Sequence, residues 1–355
     1  MKSVSEIKKI GWGFGRCNQF CKHCYNASSS RAPEYTFAQL KFVADKICSY
    51  VDEINYGTGE FFINPNSVDL CEYITDSYPR IKQAITSNGS TIVMMRPEKI
   101  GRLFHDVDIS LDFPEEKRHC DFRNHKKAWQ WATDALEILA SRNISRSVVT
   151  CVNSETTNDD IVKLIDIARK YEANWRINWF RCVGRGDEKL RISGKRAWEI
   201  IQFLSDKVTF HCLDSVFAGP LGIESGSCPA GHFSCRIHEN METSCYPFLK
   251  GAQWSGGNLL NPKISLNDVY NSSGFRRVRE RSVSYCKDCD FVDTCSSGCV
   301  TRAFLHNGGI NTPDDYCPRL SEVSMDYISK IELDYVDDRD LVHDGYLCTT
   351  IVSPR

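Results

Sequence analysis

No run in this sequence is apolar over the length needed to cross a bilayer. The opening residues MKSVSEIKKIGWGFG hold neither an uninterrupted apolar h-region nor a small-residue cleavage site, so nothing there reads as an export signal. An excess of one charge sign is missing too: 44 basic and 46 acidic residues leave a formal −2, which excludes a global attraction to nucleic acid or to an anionic membrane. The densest basic run, Arg276, Arg277, Arg279 and Arg281, reads as a solvated helix face. These absences lead us to expect a cytoplasmic protein with no nucleic-acid partner and no membrane partner. What remains is ordinary for a globular chain, with 41% hydrophobic and 25% charged residues. Its 355 residues suit two domains better than one.

Cysteine is the residue in excess. Eighteen of them require either disulfides in an oxidising compartment or metal ligation in a reducing one, and without an export signal the second is expected. Cys17, Cys21 and Cys24 have the spacing C-x3-C-x2-C within RCNQFCKHCYN. Three thiolates on a short loop can hold three irons of a 4Fe-4S cluster and leave the fourth iron open to a substrate or cofactor. On the triplet alone, a zinc half-site or a chance spacing stays open.

From about 7 to 212 the pattern alternates short β-rich runs with longer amphipathic ones, as repeated βα units around a parallel sheet do. Strands are expected at 8–14, 53–56, 83–86, 107–111, 147–152 and 175–180. One helix is expected after Thr36, where Gln39 completes a capping box, and others at 66–78, 97–104, 126–141, 158–171 and 194–205. Six units are too few for a closed eightfold barrel. The expected fold class is therefore α/β, a partial (βα)6 TIM-like barrel with its functional loops at the C-terminal strand ends.

The triplet, followed by Tyr25 and preceded by IGWGFG, resembles the signature of the radical S-adenosylmethionine (radical SAM) enzymes. Further matches fall after successive strands. The segment YGTGE at 56–60 resembles the family's GGE element, with Thr58 for the first paired glycine and Phe61 for the common proline. That resemblance implies that Gly59 and the Glu60 carboxylate hold the methionine amino group. Ser87 and Asn88, in TSNG, resemble the family's TNG turn. Ser110, Asp112 and Arg123 resemble the segment that takes the ribose and the methionine carboxylate, for which a guanidinium offers a planar pair of donors.

Beyond about Asp214 the alternation stops, GPLGIESGS reads as a linker, and Gly, Ser, Asn and Cys take over. Cys228, Cys235 and Cys245 form one group; Cys286, Cys289, Cys295, Cys299 and Cys317 form another, spaced C-x2-C-x5-C-x3-C-x17-C. Four of these five could make a zinc site. The full eight resemble the SPASM domain, which carries two auxiliary 4Fe-4S clusters. By that resemblance Cys228, Cys235, Cys245 and Cys299 bind the first, and Cys286, Cys289, Cys295 and Cys317 the second, with Asn240 where the family has a glycine. The implied cofactors are three 4Fe-4S clusters and S-adenosyl-L-methionine. The seven cysteines left over, Cys48, Cys71, Cys120, Cys151, Cys182, Cys212 and Cys348, read as small core residues. The expected division is a barrel over 1–214, a cysteine-rich SPASM domain over 215–333, and a tail over 334–355 that packs on the barrel or frays.

The resemblance further implies a flavodoxin or ferredoxin-type reductant, whose electron cleaves S-adenosylmethionine to a 5'-deoxyadenosyl radical that removes a substrate hydrogen atom. Sulfatase-maturing relatives place an aspartate base after the third cysteine of the first group; here Tyr246 stands there, with Glu239 or Glu242 as substitutes. Epimerisation needs a hydrogen donor on the opposite face, for which a thiol is well suited, and Cys120 in HCDFRN, a loop at the barrel mouth, is the candidate beside its reading as an incidental thiol. About six residues precede the first strand, which leaves no room for the leader-recognition domain of many peptide-modifying relatives. The first expectation is therefore oxidation or epimerisation of a small polar molecule, such as a sugar, cyclitol or aminoglycoside-like intermediate of natural-product biosynthesis. Cross-linking, oxidation or epimerisation of a ribosomally made peptide is the second, and an iron-sulfur electron carrier is the reading from another class.

Overall fold

A computed structural model describes residues 5–223, 228–337, 341–343 and 348–355. The first part runs β1 (Lys9–Gly13), α1 (Phe37–Ile47), β2 (Glu53–Gly57), α2 (Ser67–Ser77), β3 (Lys82–Ser87), α3 (Pro97–Leu103), β4 (Asp106–Ser110), α4 (Glu116–Arg123), α5 (Ala128–Ser141), β5 (Arg146–Val152), α6 (Asn158–Lys170), β6 (Asn174–Trp179), α7 (Gly194–Leu204) and β7 (Val208–Cys212). All six expected strands are there, and β1 to β6 pair in parallel in chain order, as a partial TIM-like barrel requires. Parallel neighbours put every strand-to-helix loop at the same end of the sheet.

Local chemistry explains the helix starts. The Thr36 hydroxyl accepts the Gln39 N–H while the Gln39 side chain accepts the Thr36 N–H at 2.9 Å, and α6 opens on the same reciprocal cap between Thr157 and Asp160. The apolar stripes then face the sheet: Leu40, Val43, Ala44 and Ile47 on α1, and Ile161, Leu164, Ile165 and Ala168 on α6, are buried at helical spacing. The segment HCDFRN, read as loop, lies mostly on α4, which ends at the left-handed Asn124 (φ 50°).

After β7 come α8 (Ser215–Ala218), β8 (Ser234–Ile237), β9 (Glu242–Ser244), β10 (Gly257–Asn258), α9 (Leu266–Tyr270), α10 (Ser273–Arg279), α11 (Val292–Cys295), α12 (Val300–Asn307), α13 (Met325–Ile328), β11 (Asp334–Tyr335) and β12 (Thr350–Pro354). Two pairings tie this region to the barrel. β8 lies parallel to β1, with Cys235 opposite Ile10, so the cysteine-rich part extends the barrel sheet. β12 enters antiparallel between β6 and β7, burying Ile351 and Val352. One sheet thus crosses both expected boundaries, and residues 350–354 of the tail are part of it. Part of the expected linker, 224–227, lies outside the described residues.

The barrel interior is polar. His343 from the tail puts Nε2 3.0 Å from Asp106 and 3.2 Å from Asp108, its Nδ1 meets Asn55 Nδ2 at 2.6 Å, and Arg176 pairs with Asp108. A second buried network joins the two halves: Arg302 Nη1 donates to Asp214 at 2.7 Å, while Nε and Nη2 donate to Asp314 at 2.8 and 2.7 Å. The basic run is only partly a solvated face. Arg276 and Arg277 are exposed, but the Arg281 guanidinium donates to the carbonyls of Ser297, Gly298, Ile310 and Thr312.

Removing the cation of the Asp214–Arg302–Asp314 bridge leaves two buried carboxylates unpaired. Arg302→Ala should therefore cost about 3–5 kcal/mol, read from the urea midpoint. A loss below about 1 kcal/mol, the range of an exposed ion pair, would show that the bridge does not hold the halves together.

Candidate active site

The C-terminal ends of the barrel strands meet at a cavity of about 200 Å³. Cys17, Cys21, Cys24 and Tyr25 reach it from the loop after β1, Thr58 and Gly59 from the second loop, Ser87 and Asn88 from the end of β3 and the loop after it, Ser110 and Asp112 from the end of β4 and the loop after it, and Arg123 from the last turn of α4. The triplet loop has little regular structure and is held from outside. Cys17 N–H donates to Ser29 O at 2.7 Å, Arg185 N–H donates to Cys24 O at 3.0 Å, and the Arg185 guanidinium reaches Cys21 O at 3.0 Å and Ser28 O at 2.9 Å. The preceding Gly184 has φ 68°, and a Cβ there would lie 2.4 Å from the carbonyl oxygens of Cys24 and Tyr25. This VGRG clamp after β6 escaped the sequence reading, although an arginine between two glycines at a strand end is a visible signal.

Thiol spacing separates the metal readings. Four thiolates around one zinc at 2.3 Å stand about 3.8 Å apart. Among the described residues, the only three ligand atoms of His, Cys, Asp or Glu within 4.8 Å of one another belong to Asp106, Asp108 and His343, where Arg176 already supplies the positive charge. No cysteine group is drawn in tightly enough for a single ion, whereas thiolates on separate irons of a cluster need not be. Burial pushes the Cys17 thiol up to about 12 and raises Cys21, with the nearby Arg123 opposing the shift at Cys21, so these thiols need positive charge to ionise.

Glu60 is placed differently from the expectation. Its carboxylate is fully buried and does not line the cavity; it accepts from Ser87 Oγ at 2.6 Å, Asn88 N–H at 2.8 Å and Thr91 Oγ1. It ties the second loop to the third, and the second loop meets the cavity through Thr58 and Gly59. Gly59 (φ 85°) is required there because a Cβ would sit 2.2 Å from Arg16 O. Tyr25 OH bonds Thr58 Oγ1, and Asn88 Nδ2 donates to Asn18 Oδ1 at 2.8 Å. Asp112 is the hub of the fourth loop: Oδ2 accepts Arg123 Nε at 2.6 Å, Oδ1 accepts Cys151 N–H at 2.9 Å, and Asp112 N–H donates to His119 Nδ1 at 3.1 Å. Burial alone would raise the Asp112 carboxyl, but the charge of Arg123 outweighs it and holds the group at about 2. Burial lowers His23 to about 4, leaving it neutral, stacked on Phe122 at 4.5 Å.

Several wall atoms have no hydrogen-bond partner among the described residues: Gln19 Nε2, His23 Nδ1, Trp179 Nε1 and Arg181 Nε. Buried polar groups are normally satisfied, so these atoms mark a place for a polar ligand.

In the cysteine-rich part, Cys286, Cys289, Cys295 and Cys317 line one cavity of about 330 Å³, grouped as expected. Cys235 sits on β8 and Cys245 follows β9. Burial would raise the Cys299 thiol, but hydrogen bonding with Cys348 and the charges of Arg181 and Arg302 pull it well below the ordinary range. Arg181 Nη2 lies 3.4 Å from Cys299 Sγ, and Cys348 Sγ donates to Cys228 Sγ at 3.6 Å. Cys151 and Cys348, both read as core, line the triplet cavity. Cys120 does not: it lies on α4, where its thiol donates to Lys126 O at 3.4 Å. Tyr246 is buried with its phenol pushed far up by burial, so it is no base, and neither Glu239 nor Glu242 lines the cavity.

Residues 13–170 match the model of the radical SAM superfamily. The chain carries a radical SAM domain. Mycofactocin maturase MftC of Mycobacterium tuberculosis is 28% identical over 319 residues, 85% of this chain and 80% of the relative. Streptococcus suis SuiB superposes with TM-score 0.71 at 14% identity over 88% of this chain and 77% of SuiB. The structure of anSMEcpe with bound AdoMet gives 0.69 at 14% identity, covering 90% and 93%. These two show the same fold. No helix among the described residues is long and apolar enough to cross a membrane.

A carboxyl held at about 2 against an ordinary 3.8 contributes about 2 kcal/mol of stability, present above about pH 4 and lost as pH falls through 2. Asp112→Asn should lower the urea midpoint accordingly at pH 7, and the gap from wild type should close toward pH 2. A gap that does not vary with pH would show that the Asp112–Arg123 pair is not the cause.

Proposed function

We propose that this chain is a radical SAM enzyme that modifies a peptide, with S-adenosylmethionine and a 4Fe-4S cluster in the barrel cavity and two further 4Fe-4S clusters in the cysteine-rich part. The observation that carries this reading is the meeting, in one cavity, of the three triplet thiols with Ser87, Asn88, Ser110, Asp112 and Arg123 from successive loops. When bound, the cluster and S-adenosylmethionine supply a 5'-deoxyadenosyl radical that removes a hydrogen atom from a substrate carbon.

The chain's own residues bind, orient and shield. Cys17, Cys21 and Cys24 hold the cluster, and the Arg185 clamp fixes their loop. Gly59, Ser87, Asn88, Ser110 and Tyr25 form the wall for S-adenosylmethionine, and Asp112 aims Arg123 at it. Cys228, Cys235, Cys245 and Cys299 hold the first auxiliary cluster, and Cys286, Cys289, Cys295 and Cys317 the second. Stiffness matters because hydrogen transfer requires the reacting atoms within contact distance.

The comparisons favour a peptide over the small polar molecule of the first expectation. The relative aligned over most of this chain is named a maturase. The same fold is seen with precursor peptide SuiA in SuiB and with the Kp18Cys peptide in anSMEcpe. The absence of a free carboxylate base in the wall also argues against oxidation by the route read for Tyr246, because Asp112 is the only carboxylate there among the described residues and it is paired.

Anaerobically reconstituted protein should carry about twelve irons per chain, and Cys24→Ala about four fewer. The reduced wild type should form 5'-deoxyadenosine, faster with its peptide than with sugars or cyclitols. A fully iron-loaded protein that forms none would overturn the enzyme reading. Stimulation by a small polar molecule alone would overturn the peptide.

A further inference from the structure

Cys348 differs from the other cysteines first read as core. It is 4% exposed, it lines the triplet cavity, and its thiol donates to Cys228 Sγ at 3.6 Å. Its backbone is pinned on both sides: the N–H donates to Tyr246 OH at 2.9 Å, and the carbonyl accepts from Arg181 Nη2 at 3.4 Å. Arg181, 6% exposed, shares that wall and has Nε without a hydrogen-bond partner among the described residues, a donor placed for the carbonyl or carboxylate of a ligand beside the thiol. The other wall cysteine outside the triplet, Cys151, donates its backbone N–H to Asp112 Oδ1 at 2.9 Å. Cys348, like Arg181, therefore bridges the cavity and the thiols proposed for the first auxiliary cluster.

The chemistry available at this wall is that of a thiol. Tyr246 occupies the position of a base without being one, and Glu239 and Glu242 are outside. An S–H bond is weaker than an unactivated C–H bond and close in strength to a peptide Cα–H bond, so a thiol can pass a hydrogen atom to a carbon radical.

We propose that Cys348 donates a hydrogen atom to the carbon radical formed in this cavity, a role that rests on the radical SAM reading. The S–H bond breaks homolytically, a C–H bond forms on the radical carbon, and a thiyl radical is left on Cys348. One electron from a low-potential iron-sulfur reductant and one proton from solvent restore the thiol. Over the cycle the substrate keeps its mass and exchanges one hydrogen with solvent, and delivery from the face opposite abstraction inverts the carbon. If Cys228 holds an auxiliary cluster as proposed above, its contact with Cys348 would set such a reductant beside the sulfur.

The reduced, iron-loaded enzyme is incubated with S-adenosylmethionine alone in D2O, so that the 5'-deoxyadenosyl radical itself probes the cavity for an exchangeable donor. Wild type should give 5'-deoxyadenosine carrying one deuterium. Cys348→Ser and Cys348→Ala should give unlabelled product, with iron per chain and the electron paramagnetic resonance spectrum of the reduced clusters unchanged. Label that persists in Cys348→Ala, or that disappears in Cys151→Ala instead, would overturn the proposal while leaving the enzyme reading intact. Loss of about four irons from Cys348→Ser would overturn it by making Cys348 a cluster ligand. No 5'-deoxyadenosine from iron-loaded wild type would remove the radical SAM reading and this proposal together.

Discussion

The loop from Cys17 to Tyr25 makes few hydrogen bonds within itself, and the rest of the site depends on fixing it. Buried thiols resist ionisation, and a loop of this kind would not hold three of them in one arrangement. The structure meets this with backbone contacts from a distant strand end: Arg185 takes two carbonyls through its guanidinium, and its N–H takes a third. Gly184 permits that approach because any side chain would collide with the loop it supports. Arg123, aimed by Asp112, adds positive charge beside Cys21. The parallel register of β1 to β6 makes this economical, since every contributing loop emerges at one end.

Away from the cavity, the barrel is filled with charge. Asp106, Asp108, Arg176 and His343 pair with one another inside, and Arg302 does the same between Asp214 and Asp314. Such networks add little net stability compared with an apolar core, but they strongly disfavour arrangements that leave one charge unpaired. In this chain both networks join segments far apart in sequence. They fix the tail and the cysteine-rich region relative to the barrel, and β12 completes that connection as a strand of the same sheet.

The periodic elements and the local motifs are written in the amino-acid sequence. The six strands and the capping box of Thr36 and Gln39 follow from period and end chemistry, because those forces act over a few residues. The cysteine triplet, its companions at successive strand ends and the grouping of Cys286, Cys289, Cys295 and Cys317 were legible for the same reason, being short-range spacings. Tertiary structure alone decided which way side chains turn and what distant segments meet. Glu60 stands in the expected motif, yet its carboxylate finds Ser87, Asn88 and Thr91 and turns from the cavity. Cys120 lies near the barrel mouth in sequence but on α4 in space, while Cys348, 324 residues after Cys24, reaches the wall because β12 threads between β6 and β7. Contacts of that range carry no local pattern; they exist only once a hydrophobic sheet has closed and buried polar groups have had to find partners within it.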